Sequence, residues 1–187
     1  MLGPRFVDAL GFATDKTGDQ KRKGTEVPYI CHPLAVCSLV LEDGGDEDEA
    51  IAALLHDLVE DRGPTLSSEI ESRFGERVIS IVLECSDSVG GPRDATDWKK
   101  RKEEYLEGLR VHSPGAIRVS LADKLHNARS ILRDLRAAGP GADEVWTRFN
   151  VGREDQLWYY RSLVRVFGEV STSSMVMELS VAVDGLG

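Results

Sequence analysis

The sequence predicts an all-α fold, and two observations support that prediction. Apolar residues recur at helical spacing along most of the chain, and β-branched residues lie within these periods without the alternation typical of strands. Residues that start and stop helices also separate the periods. Ser113 and Pro114 suit the N-cap and first position of a long helix, and Gly139 with Pro140 suits its end near residue 138.

The other elements follow in chain order from the same signals. Residues Phe6 to Ala13 suit a first amphipathic helix, and CHPLAVCSLVLE suits a second one with Pro33 at its first helical position. The remaining predicted helices are 47–61, 66–74 after an N-cap at Thr65, a buried helix around 78–83, 98–109, 114–138, a short piece at 146–149, and 154–167. Residues 87–97 are predicted to form a loop. The tail, 170–187, has apolar residues without a clear period and is not assigned.

Length and composition limit the function classes. A chain of 187 residues is predicted to be one domain, 1–187, with its core in about 5–167. The net charge of −9 argues against a duplex nucleic-acid partner, but a local basic cluster or a metal ion would still allow a small anionic substrate. No apolar run approaches the roughly 20 residues of a membrane span, and no signal peptide is expected. Three cysteines without CxxC spacing indicate reduced thiols and a cytoplasmic protein.

The most apolar stretch, AIAALLHDLVED, contains the pair His56 and Asp57. A buried, ionised carboxylate is costly unless another group compensates its charge, and a bound cation is the simplest such group. Asp123 repeats this pattern among the apolar residues of the long helix, and His32 stands at the start of the second helix. Two histidines and two carboxylates would form a ligand set suited to Mn, Fe or Zn. A polar core network of mutually satisfied side chains is the alternative interpretation.

Two basic clusters and one acidic run also allow more than one interpretation. The clusters at 21–23 and 99–102 would bind phosphate groups or lie on solvated helix faces, the first one favourably at a helix C-terminus. The acidic run at 46–49 is predicted to cap a helix and aid solubility. Its oxygen ligands lack the spacing of a calcium loop.

These motifs resemble a known family. The order of His32, the pair His56–Asp57, and Asp123 is similar to that of the HD superfamily of metal-dependent phosphohydrolases. Beyond this, RKGTEVPYICHPLAV, ALLHDLVED, RFGERV and SLADKLHNAR resemble, in order and spacing, the hydrolase domain of the RelA/SpoT family and its small stand-alone alarmone hydrolases. The resemblance covers roughly residues 5–167, and it implies an HD-domain helical bundle.

The resemblance also implies a site and a reaction. One divalent ion, usually manganese in the family, would be held by His32, His56, Asp57 and Asp123, while Glu60 and Asp61 would orient or activate the attacking water. Arg22 would pack on guanine, Lys23 and Lys102 would hold phosphates, and Asn127 would contact ribose. The implied reaction removes the 3′-pyrophosphate from guanosine tetra- or pentaphosphate, giving GDP or GTP.

Residue spacing agrees with these roles, because residues three or four apart share a helix face. Asp57 would lie beside Glu60 and Asp61, and Asp123 beside Asn127. Thr17 stands where relatives commonly carry histidine, and Arg62 where threonine is usual. Two alternatives therefore stay open: an HD phosphohydrolase acting on another nucleotide or phosphate ester, and a nucleotide-binding HD protein without turnover. The oligomeric state is not predicted.

Overall fold

The computed structural model describes residues 1–59, 65–86 and 98–187. These residues are all-α, as predicted, and their one strand-like feature is an isolated antiparallel bridge between Lys21 and Pro28. The helices are α1 (Pro4–Thr17), α2 (Cys31–Glu42), α3 (Glu47–Leu55), α4 (Thr65–Phe74), α5 (Glu76–Cys85), α6 (Trp98–Gly108), α7 (Pro114–Ala138), α8 (Asp143–Trp146), α9 (Arg153–Val170) and α10 (Met175–Asp184), with a 3₁₀ helix at Gly139–Gly141.

Several helix ends lie where the capping residues predict them. The Ser113 hydroxyl accepts a hydrogen bond from the Ala116 amide at 3.3 Å, which confirms Ser113 as the cap of α7. Gly139, at φ 54°, takes the left-handed conformation that favours glycine directly after the last residue of that helix. At the start of α3, the Asp46 carboxylate accepts from the Glu49 amide at 3.1 Å, so the predicted N-terminal capping is also confirmed.

Other bounds differ from the prediction. The helix predicted over 47–61 ends at Leu55; His56 and Asp57 form a turn, and helical conformation returns at Leu58 and Val59. The rest of that segment, and the predicted loop at 87–97, lie outside the described residues.

Helix α2 begins at Cys31, two residues before Pro33, because Ile30 is already helical and its carbonyl accepts from the Leu34 amide at 3.2 Å. Pro33 still lies in the first turn, where its missing N–H has little cost.

In the second half of the chain, two helices differ from the prediction. The short helix predicted at 146–149 is displaced to α8, Asp143–Trp146. The unassigned tail forms α10, which packs against α9 and buries Met175 and Leu179. Neither helix has a strong enough local pattern to be placed from sequence, since α8 spans one turn and the apolar residues of α10 surround much of it.

The described residues divide into two compact units. The first comprises the described parts of Met1–Gly91 together with His112–Asp123. Helix α3 is central to it: α3 packs against α1, α2 and α5, and all its residues from Ala50 to Leu55 are buried. This burial explains why the apolar run lies where it does, and it brings the residues that follow α3 into the interior.

The second unit comprises the described parts of Pro92–Val111 together with Lys124–Gly187. Helix α9 packs against α6 and α10, and its Leu163 and Phe167 are fully buried. Trp98 meets Trp158 and Tyr159 edge to face, at centroid distances of 6.2 and 5.9 Å. No helix in the described ranges is both long and apolar enough to cross a membrane. The single domain over 1–187 stays a prediction.

Candidate metal centre

The four predicted ligand residues come together within the first unit. The Nε2 atom of His32 lies 3.5 Å from Asp57 Oδ2 and 3.1 Å from Asp123 Oδ1. The Nε2 atom of His56 lies 3.2 and 3.7 Å from the same two oxygens. Two imidazole nitrogens and two carboxylate oxygens therefore converge, although their residues are up to 91 positions apart in the chain, from His32 to Asp123.

Three separate elements supply these side chains. His32 lies in the first turn of α2, His56 and Asp57 form the turn after α3, and Asp123 lies in the middle of α7. Because α3 packs against α2, the histidines meet edge to face with ring centroids 5.1 Å apart. The turn after α3 lets the neighbouring residues His56 and Asp57 present their atoms to one point.

Burial distinguishes the two carboxylates. The side chains of His32, His56 and Asp123 are 1, 3 and 6 % exposed, whereas that of Asp57 is 29 % exposed. The cost of desolvation is therefore greatest for Asp123. The sequence predicts burial for both carboxylates, but Asp57 lies on the side of the cluster that solvent reaches.

His56 is oriented by a backbone contact. Its Nδ1 lies 2.8 Å from the Ala53 carbonyl oxygen, so Nδ1 carries the proton and donates it. In the neutral ring, Nε2 is then the lone-pair nitrogen, and this buried atom has no hydrogen-bond partner in the described residues. A carbonyl that orients an imidazole in this way is the usual outer contact of a metal-ligating histidine. The orphaned Nε2 and the N₂O₂ donor set thus fit a divalent cation of the Mn, Fe or Zn type.

When no cation is bound, His56 and Asp57 strongly shift one another's pKa. Burial by itself lowers the pKa of His56, but the neighbouring Asp57 and Asp123 carboxylates outweigh it and hold that pKa well above its usual range. For Asp57, burial raises the pKa, yet the charge of His56 and the close approach of the His32 and His56 ring nitrogens hold it well below its usual range. The site therefore stabilises positive charge, whether a proton or a metal ion provides it.

Tyr29 is a site residue that the sequence analysis did not assign. Its hydroxyl donates a hydrogen bond to Asp57 Oδ2, the oxygen that faces both histidines. Its ring meets that of His32 edge to face at 5.9 Å. The only sequence signal was its position inside the PYICHP segment, three residues before His32.

The basic turn, which contains Arg22 and Lys23 and is predicted to hold substrate, also lies in the first unit. Arg22 is half-buried, and its guanidinium carbon is 6.0 Å from the centre of the Tyr29 ring. Lys23 is exposed beside it, and Gly24, at φ 72°, turns the chain back. Arg22 is therefore connected to the ligand cluster through Tyr29, whereas Lys23 is an exposed residue of the same turn.

The remaining predicted site residues belong to the second unit or lie outside the described residues. Lys102 and Asn127 belong to the second unit, where Lys102 Nζ lies 4.7 Å from the centre of the Tyr159 ring and Asn127 is half-buried on α7. Glu60 and Asp61 lie outside the described residues. The roles of these four residues stay predictions.

Comparisons with known proteins place this chain in a family. A family model described as HD domain matches residues 9–154. The guanosine-3′,5′-bis(diphosphate) 3′-pyrophosphohydrolase MESH1 of Xenopus tropicalis is 40% identical over 149 residues, which cover 78% of this chain and 76% of that protein. The human protein of the same name is 39% identical over 150 residues, or 79% of this chain and 76% of that protein.

The fold is also similar to a solved structure of a metazoan ortholog of SpoT that hydrolyzes ppGpp and plays a role in starvation responses. The TM-score is 0.74 at 25% identity, and the match covers 97% of this chain and 95% of that chain.

Proposed function

We propose that this chain, which belongs to the HD domain family, is a metal-dependent hydrolase of guanosine 3′,5′-bis(diphosphate). Water would displace the ribose 3′-oxygen from the adjacent phosphorus, so that one P–O bond forms and one breaks. The products would be GDP, with a free 3′-hydroxyl, and pyrophosphate. The relatives named for this reaction support the substrate, and the ligand cluster supports the chemistry.

The observation that carries the proposal is the convergence of His32, His56, Asp57 and Asp123. A network of mutually satisfied side chains would leave no donor or acceptor unused. Here the buried Nε2 of His56 lacks a hydrogen bond in the described residues while two carboxylates face it. This arrangement favours the metal-site interpretation over the polar-network alternative.

The four ligand residues and the ion would have different chemical roles. A divalent ion, when bound, would lower the pKa of water and act as a Lewis acid toward phosphoryl oxygen. His32 and His56 supply neutral nitrogen lone pairs, and Asp57 and Asp123 supply the negative charge that balances a cation. Manganese is proposed because of the family resemblance, since the donor set itself also suits iron and zinc.

Glu60 and Asp61 are proposed to accept and orient the proton of the attacking water. Their position three and four residues after Asp57 in the sequence supports this role. A positioned carboxylate contributes about 10²–10⁴-fold to a proton-transfer step.

Substrate binding is proposed to use Arg22 against the guanine ring, Lys23 and Lys102 on phosphates, and Asn127 on ribose. Arg22 has the best structural support, because Tyr29 holds it near the ligand cluster. A planar guanidinium can stack on a purine while its N–H groups still reach acceptors.

The protein is proposed to work in the cytoplasm. None of its three cysteines forms a disulfide in the described residues, and burial raises the pKa of the Cys37 thiol to about 11. Cysteines outside disulfides are typical of a reducing compartment, and the raised pKa of Cys37 does not support thiolate catalysis there.

A nucleotide panel tests the function. Purified protein would be incubated with Mn²⁺ and, in turn, ppGpp, GTP, GDP, ATP and a simple phosphate ester, and pyrophosphate and orthophosphate would be measured separately. We expect pyrophosphate and GDP in equal amounts from ppGpp, with activity lost in chelator and in Asp123→Asn. Asp155→Asn, an exposed aspartate on α9, is the matched control and should retain activity.

Preferred hydrolysis of another nucleotide, or release of orthophosphate, would overturn the substrate assignment. Undiminished turnover after complete metal removal would overturn the metal dependence.

A further inference from the structure

The hydroxyl of Tyr29, a residue outside the candidate ligand set, directly contacts a carboxylate of the candidate metal centre. It donates to Asp57 Oδ2, which lies 3.5 and 3.2 Å from the Nε2 atoms of His32 and His56. The contacted oxygen is therefore the one aimed at the common point of the two histidines. Asp57 is also the most exposed of the four ligand side chains, at 29 %, so burial constrains it least.

The backbone holds Tyr29 in place. Its amide donates to the Gln20 carbonyl at 2.7 Å, and the Arg22 amide donates to the Val27 carbonyl at 2.8 Å. Together with the bridge between Lys21 and Pro28, these bonds pair the two arms of the basic turn. Tyr29 thus lies at the end of a short, hydrogen-bonded hairpin rather than in an unpaired loop.

The two ends of the tyrosine side chain face different groups. Its ring lies under the Arg22 guanidinium, with 6.0 Å between the guanidinium carbon and the ring centre, and packs against the His32 ring. Its hydroxyl reaches Asp57. A guanidinium over an aromatic face is attracted by the ring quadrupole, and a hydrogen bond to a carboxylate is stronger than one between neutral groups.

We propose that Tyr29 is a positioning residue that fixes the Asp57 carboxylate for metal binding and supports Arg22 for substrate binding. The inference rests on the proposed function in two respects: a divalent ion occupies the cluster, and Arg22 contacts the substrate. The hydroxyl restricts rotation of the Asp57 carboxylate, the least buried of the four ligands. The ring fixes the position of the Arg22 guanidinium. The two roles belong to different atoms, so they can be separated by substitution.

Tyr29→Phe removes the hydroxyl and keeps the ring. We expect Mn²⁺ to bind this variant about 10–100-fold more weakly than the wild type, the usual effect of losing an outer contact to a ligand. Isothermal titration of Mn²⁺ into metal-free protein measures this without any turnover. Turnover should recover in part at high Mn²⁺, and the KM measured at saturating Mn²⁺ should stay within about twofold, because the ring still supports Arg22.

Tyr29→Leu removes both the hydroxyl and the aromatic ring. We expect the same loss of Mn²⁺ affinity and, at saturating Mn²⁺, a KM higher than that of Tyr29→Phe. Tyr160→Phe deletes a tyrosine hydroxyl in the second unit and serves as the matched control, with unchanged affinity. Circular dichroism of each metal-free variant checks that the helices are intact.

The outcomes separate the two proposals. If the wild type binds Mn²⁺ and Tyr29→Phe binds it equally well, the positioning role is wrong and the metal centre stands. If the wild type binds neither Mn²⁺ nor another divalent transition metal, both proposals are wrong. If Tyr29→Phe and Tyr29→Leu have the same KM, the support of Arg22 by the ring is wrong.

Discussion

Arg118 on α7 donates a hydrogen bond to the carboxylate of Glu49 on α3, whose side chain is only 7 % exposed. Helix α7 carries Asp123, and α3 leads into His56 and Asp57, so this ion pair joins the two helices that position three of the four ligand residues. Arg118 also donates to Asp43 at 2.8 Å, and Glu49 accepts from Arg77 at 3.0 Å. A partly buried ion network around Glu49 thus joins the helices that position these ligand residues.

Arg118→Ala should destabilise the metal-free protein by about 3 kcal/mol. Removing one partner of a buried pair leaves an uncompensated charge, and Arg77 would satisfy Glu49 only in part. Urea denaturation in chelator measures this difference. Arg129→Ala breaks an ion pair whose two side chains are 46 and 43 % exposed, and it should cost less than about 1 kcal/mol. Equal losses in the two variants would show that the network has no special role.

Asp123→Asn should weaken Mn²⁺ binding by at least about 100-fold, more than the loss of an outer contact. The amide keeps the size of the side chain but removes the buried charge that balances the cation. Titration calorimetry measures affinity, and turnover at rising Mn²⁺ shows how far activity recovers. Wild-type affinity in Asp123→Asn would remove this residue from the ligand set.

Glu60→Gln and Asp61→Asn should each lower turnover by about 10²–10⁴-fold if the residue handles the proton of the attacking water. Neither is proposed as a ligand, so Mn²⁺ affinity should be unchanged and added metal should not restore activity. Glu71→Gln, an exposed glutamate on α4, is the matched control. Near-normal turnover in either variant would remove that residue from the mechanism.

Arg22→Ala should raise the KM for ppGpp by about tenfold and change kcat by less than about twofold. A residue that holds the base binds the substrate and the transition state about equally, so its loss affects KM. Lys21→Ala is the control from the same turn, since Lys21 is exposed and paired with Glu26. A kinetically silent Arg22→Ala would contradict the guanine contact and favour another substrate.

Mn²⁺ affinity should rise with pH across the acidic and neutral range, by about tenfold per pH unit where one proton is released. In the metal-free protein, Asp57 and Asp123 hold the pKa of His56 well above its usual value of 6.5, so the protonated form persists to higher pH. A metal ion must displace that proton, and competition therefore weakens binding as pH falls. Titrations in two buffers of different ionisation enthalpy would count the released proton. An affinity that does not vary with pH would contradict this proton competition.

The sequence by itself determined the helical class, several helix ends and the identity of the four ligand candidates. These follow from local properties: apolar residues recur at helical spacing, Ser113 and Asp46 cap the helices that follow them, and a carboxylate such as Asp123 in an apolar helix requires compensation. Each of these signals is carried by a few neighbouring residues, so no knowledge of the packing was needed.

Other features of the site and of its surroundings depend on tertiary contacts. The turn at His56 and Asp57 interrupts a run whose local pattern favours a continuous helix, and Tyr29 becomes a site residue only because its hairpin lies beside that turn. Glu49, predicted as part of a capping and solubility run, is buried because Arg77 and Arg118 converge on it from α5 and α7. Such contacts join residues 28 to 69 positions apart, and their free energy depends on burial and on partners that no local stretch of the sequence contains.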